Sequence, residues 1–200
     1  MKTKSKALLL ALCAVLLVTA SVLGTMAYLT STTGVVTNTF KVGDVEITLD
    51  EAKVTEYGVK DGDTRVNANT YKLIPGHKYT KDPIIHVTKG SEECWLFVKV
   101  VDEIAGIEAS KTVAEQLKDK GWALVAGTTN VYAYNSKVDA RENAVDVPVF
   151  ENFTIKGDAA VADYANKTIT VQAYAVQADS FGTAAEAWTA APLAAWVPAA

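Results

Sequence analysis

The chain has 200 residues, half of them hydrophobic, a formal net charge of −4 and two cysteines. That is enough apolar content for one domain with its own core plus short flanking segments. An acidic balance gives no electrostatic footprint for nucleic acid or for an anionic membrane surface.

Lys2, Lys4 and Lys6 form a basic start, and Ala7 to Leu23 follows without a charge. Thr25 and Ala27 then supply the small-x-small pair that a signal peptidase reads, so residues 1–27 are expected to be a secretory leader cut between Ala27 and Tyr28. Val18 and Ala20 also fit such a site, which leaves cleavage after Ala20 open, and Ala7 to Leu29 approaches the ~20 residues of an uncleaved membrane anchor. On this reading a membrane is met only through an uncut leader. Cys13 follows Leu12, where a lipoprotein signal needs a small residue. Loss of three lysines with the leader leaves 16 basic and 23 acidic residues, a net charge of −7. Cys94 is then the remaining cysteine, so no intramolecular disulfide is expected, and its apolar run, Cys94 to Val98, predicts a small buried side chain.

From Tyr28 to Phe40 there is neither charge nor proline, and threonines recur beside Tyr28, Leu29, Val35, Val36 and Phe40, interrupted only by Gly34, which reads as extended chain. Residues 41–182 are expected to form the folded domain. Val45, Ile47 and Leu49 alternate with Glu46, Thr48 and Asp50, a period of two that predicts a half-buried strand. Glu51 to Thr70 reads as a loop or exposed hairpin turning at Asp61-Gly62-Asp63, and Pro75-Gly76 marks a further turn. Ile84 to Thr88 predicts a strand ended by Lys89-Gly90. Cys94 to Val101 predicts the most apolar strand, with Leu96, Val98 and Val100 toward the core and Trp95 and Phe97 needing cover on the other face.

Ser110 to Lys118 predicts a helix with Ser110 as its cap, Val113, Ala114 and Leu117 on one side, and Gly121 as its stop. Trp122 to Val125 and Asn130 to Tyr134 predict a hairpin through Gly127. Val147 to Ile155 reads as one strand that Pro148 confines to an edge, and Thr168 to Gln177 as a strand with Ile169, Val171, Ala173 and Ala175 on one face. The alanine-rich tail, 183–200, predicts a short helix over Ala184 to Ala191, broken at Pro192 and Pro198. Many short strands with one or two short helices predict an all-β fold, an antiparallel β-sandwich, with a jelly roll as the expected variant.

Catalytic patterns are not found. His77 and His86 lack the spacing of a helical metal site, and the one combination available joins either of them with Asp82 or Glu92. Asp102-Glu103 and Glu92-Glu93 are adjacent acids that point apart in a strand. Neither a catalytic residue, a metal nor a cofactor is assigned, and the chain is not expected to be an enzyme. Trp188 and Trp196 read as a tail docked on the sandwich, with a carbohydrate platform as the other reading.

Gly24-Thr25-Met26-Ala27-Tyr28-Leu29-Thr30, followed by Asn38-Thr39-Phe40-Lys41-Val42-Gly43-Asp44-Val45-Glu46-Ile47, resembles the SipW-type leader and first strand of the TasA/camelysin (CalY) family. Ile74-Pro75-Gly76, Lys81-Asp82-Pro83, Trp95 to Val100 and Val171 to Ala178 resemble that family's later strands. Ser31 and Thr32 depart from it, since many members carry an acid soon after the junction aromatic. The resemblance implies a jelly roll cut by a SipW-like signal peptidase, exported to the surface or biofilm matrix of a Gram-positive bacterium. It also implies fibres in which the N-terminal segment of one subunit adds as a strand to the next. Tyr28, Leu29, Val35, Val36 and Phe40 would carry that joint. An uncharged extended end has what strand addition needs, but the same segment fits an ordinary edge strand of its own domain. A monomeric module for cell-wall glycan or a surface protein is the alternative; a camelysin-type metallopeptidase is a third reading, without a ligand set in this sequence.

Overall fold

A computed structural model describes residues 44–190. The expected leader, the Ala27–Tyr28 junction, the segment 28–40 and the tail from 191, with Trp196, lie outside the described residues. Among the described residues ten strands form two four-stranded antiparallel sheets and one two-stranded sheet. The first sheet has the order β2-β1-β4-β8, with β1 Ile47–Val54, β2 Lys60–Val66, β4 Ile84–Val87 and β8 Val145–Pro148. The second has the order β10-β5-β7-β6, with β5 Cys94–Asp102, β6 Trp122–Leu124, β7 Val131–Tyr134 and β10 Ile169–Gln177. β3 (Lys78–Thr80) pairs with β9 (Asn152–Thr154) as the small sheet.

Alternation builds the core between the large sheets. Ile85 and Val87 from the first sheet meet Leu96, Val98 and Val100 from the second, and Ile169, Val171, Ala173 and Ala175 of β10 pack against the same cluster. The expected sandwich is therefore the fold. Two sheet neighbours, β1–β2 and β6–β7, are also sequence neighbours joined by hairpins within one sheet, so the sandwich, without the jelly-roll qualifier, is what the pairing defines.

β5 is buried on both faces, as its apolar run predicts. Trp95 and Phe97 form a second cluster with Phe181, Ala184, Ala187 and Trp188, so the helix Ala184–Ala190 (α2) supplies the cover they require. Trp188 packs on Phe97 with ring centroids 5.3 Å apart. Among the described residues no helix is long and apolar enough to cross a membrane.

Four local expectations are corrected. The β1–β2 hairpin turns at Thr55–Val59, closed by Thr55 N–H to Val59 O at 2.8 Å, and not at Asp61-Gly62-Asp63. Gly58 there has φ +73°, and a Cβ on it would lie 2.7 Å from Tyr79 Cα, so the turn needs glycine. Asp61-Gly62-Asp63 lies inside β2, where Gly62 (φ +73°) serves a bulge; positive-φ glycine suits both features.

The helix is Val113–Asp119 (α1) and its cap is Thr112, not Ser110. Thr112 Oγ1 accepts from Glu115 N–H and Glu115 Oε2 accepts from Thr112 N–H, a reciprocal capping box. Its buried face is Val113, Gln116 and Leu117, with Ala114 exposed. Gln116 goes inside because its amide is used: Nε2 donates to Asn152 O and Lys111 O, and Oε1 accepts from Glu151 N–H. Val147 to Ile155 is two strands. Pro148, lacking an N–H, ends the β8–β4 ladder, and the fully buried Val149 and Phe150 carry the chain inward before β9 begins.

Candidate functional site

Among the described residues the large sheets end on four strands, and three of these carry features that oppose pairing with another chain. β2 is charged along its length, bulged, and tied by Lys53–Asp61 and Lys60–Asp82 ion pairs at 2.7 and 3.1 Å. β8 is four residues long and contains Asp146 and Pro148, and β6 has three residues. β10 has nine residues with neither charge nor proline, and β5 is its strand neighbour among the described residues. By strand chemistry alone it is the edge least protected against addition.

A cavity of about 710 Å³ opens along the start of β10. Leu49, Leu73, Ile104, Phe153, Ile169 and Val171 supply apolar lining, and Glu51, Lys81 and Asn69 a polar part. Glu51 is 4% exposed, and its carboxylate accepts from Lys81 Nζ at 2.6 Å and Asn69 Nδ2 at 2.9 Å. Asn69 also bonds Ala52 O and Val54 N–H, holding the 67–73 segment to β1. Tyr71 donates to Thr80 O at 3.1 Å; burial first, then the charges of Glu51 and Asp82, push its phenol pKa up.

On the outer face of the first sheet, one side chain from each strand joins a charged ladder. Arg65 (β2) bonds Asp50 (β1), whose Oδ1 lies 2.9 Å from His86 Nε2 (β4); His86 Nδ1 lies 2.7 Å from Asp146 Oδ1 (β8). Asp82 accepts Ala52 N–H at 2.7 Å and pairs with Lys60, while Arg65 Nη2 donates to Asp82 O. Burial acts to lower the His86 pKa, but hydrogen bonds to Asp50 and Asp146 outweigh it and the net shift is upward.

The structure does not gather the candidate metal ligands. His77 Nε2 sits 2.8 Å from Tyr57 O with its ring against Tyr79, His86 is engaged by Asp50 and Asp146, and Asp82 serves β1 and β2. Among the described residues no group of three or more His, Cys, Asp or Glu is placed to hold a metal ion. Cys94 is fully buried, and burial, with Glu93 nearby, pushes its thiol up to about 11, so it is a core side chain and a poor nucleophile at neutral pH. The assembly residues Tyr28, Leu29, Val35, Val36 and Phe40 lie outside the described residues. The ladder, the Glu51–Lys81 pair and the cavity had no local sequence signal, because their members come from segments far apart in the chain.

Together these features define an antiparallel β-sandwich in which the long strand β10, without charge or proline, starts beside a cavity. Comparison with models of protein families, with curated proteins and with solved structures finds no match to the chain.

Proposed function

We propose that the chain is a secreted structural subunit of a bacterial surface or matrix, and that subunits join when the extended segment 28–40 of one copy pairs along β10 of another. The contrast among the sheet edges carries this reading: β10 is long, uncharged and free of proline, whereas β2, β6 and β8 are guarded or short. Segment 28–40 has the matching character, uncharged and β-forming, and each large apolar side chain it buries would contribute ~1.5–3 kcal/mol. The leader-like start and the resemblance to the TasA/camelysin family support export to the cell surface and assembly into fibres.

The cavity favours a second reading, a monomeric secreted binding module for wall glycan or a surface protein, since its volume lies in the range of ligand sites. One experiment separates the two. Deleting residues 29–40 keeps the Ala27–Tyr28 junction while removing the joining segment. Electron microscopy and size exclusion of the secreted proteins are expected to show filaments for the parent and folded monomers for the deletion. Equal assembly by both contradicts strand joining, and monomers in both samples favour the binding module.

A further inference from the structure

Two side-chain groups in the sandwich are satisfied only when they hold a proton. The first is His86. A neutral imidazole has one N–H and one bare nitrogen, yet both ring nitrogens face carboxylate oxygens, Asp50 at 2.9 Å and Asp146 at 2.7 Å. Two donors are needed, so the ring is an imidazolium joining β1, β4 and β8. Arg65 on β2, the remaining charged member of the ladder, reaches the ring only through Asp50.

The second is Glu108, 3% exposed. Its Oε2 accepts from Val113 N–H, the first amide of α1, at 3.0 Å, while Oε1 is buried with no donor facing it. The group near it is the Asp102 carboxylate, itself accepting Ile104 N–H at 2.9 Å. Two ionised carboxylates cannot satisfy one another, but a protonated Glu108 donates to Asp102 and leaves neither oxygen orphaned. Glu115 on α1 adds further negative charge toward Glu108, and Asp102 faces Tyr132 on β7. No cation faces Glu108 among the groups that act on it.

We infer that the sandwich carries two proton clasps, His86 between Asp50 and Asp146 and Glu108 against Asp102, which open together as the medium turns alkaline. Their placement gives the opening a location. The His86 clasp joins β1, β4 and β8 on the outer face of the first sheet, and Asp102 is the register partner of Ile169, the first residue of β10. The inference concerns the fold of one chain and holds whether or not a strand joins β10.

Both clasps act in the same direction. His86 is raised above the ordinary histidine value, so its contribution is complete below about pH 6.5 and is lost as pH rises through the raised value. Desolvation above all pushes Glu108 up to about 7, so its contribution is complete below about 4.5 and is lost as pH rises toward 7. The mature chain is therefore expected to melt roughly 5 °C or more lower at about pH 8.5 than at about pH 5.5. Glu108→Gln, a neutral isostere that still donates to Asp102, is expected to remove about half of that difference. NMR titration of the two histidines gives a readout independent of melting: the His86 midpoint is expected above about 6.5 and to fall in Asp146→Asn. A His86 midpoint at or below the ordinary value overturns the first clasp. A melting temperature that is flat or rises between the two pH values, or an unchanged slope in Glu108→Gln, overturns the second.

Discussion

Truncating Phe153 to alanine lowers the unfolding free energy of the β-sandwich by about 3–5 kcal/mol, as the cavity left by a large buried ring does when neighbours cannot close on it. Phe153 is 2% exposed and stacks on Tyr79 at 4.9 Å, with Tyr71 edge-on at 5.2 Å. It is the middle residue of β9, so its ring fastens the two-stranded sheet to the core. Collapse is resisted because the Tyr79 hydroxyl is anchored to Lys72 O and Ile74 N–H, and the Tyr71 hydroxyl to Thr80 O. Phe153→Leu keeps most of the volume and is expected to cost under ~1.5 kcal/mol. Urea denaturation of both variants checks the difference; a Phe153→Ala loss below ~1 kcal/mol contradicts this packing.

Lys81→Met is expected to be nearly as damaging, by about 3–5 kcal/mol, for an electrostatic reason. The Glu51 side chain is 5% exposed and that of Lys81 11%, so the methionine variant strands a buried carboxylate with Asn69 as its remaining donor. The loss reflects the unpaired charge and not the worth of the ion pair. The double variant Glu51→Gln/Lys81→Met is therefore expected to recover most of the stability that Lys81→Met loses. A double variant as unstable as the single one would show that Lys81 acts through packing alone.

Elements whose pattern is local were legible in the sequence. β10 alternates and β5 is a continuous apolar run, and the outer face of Trp95 and Phe97 correctly called for a cover, which Ala187 and Trp188 provide. Features shared by two structures were misread. Gly62 looked like a turn and serves a bulge, and Ser110 was read as the cap where Thr112, with Glu115 three residues on, forms the capping box.

The polar architecture was not legible for a different reason. Glu51 appeared to open a polar loop, yet β1 runs on to Val54 and buries it, because Lys81 and Asn69 arrive from 30 and 18 residues away. Arg65, Asp50, His86 and Asp146 meet only once four strands are in register, with His86 directly opposite Asp146. Glu108 reads as one more surface acid until α1 and the end of β5 close over it.

Amide hydrogen exchange along residues 169–177 tests the central claim most directly. Alternate amides of an edge strand point away from its neighbour, so a joining strand protects a set that β5 does not reach. Assembled parent protein is expected to show slower exchange over β10 than the chain lacking residues 29–40, with β5 unchanged between them. Equal exchange over 169–177 in the two samples would contradict the assignment of β10 as the joining edge.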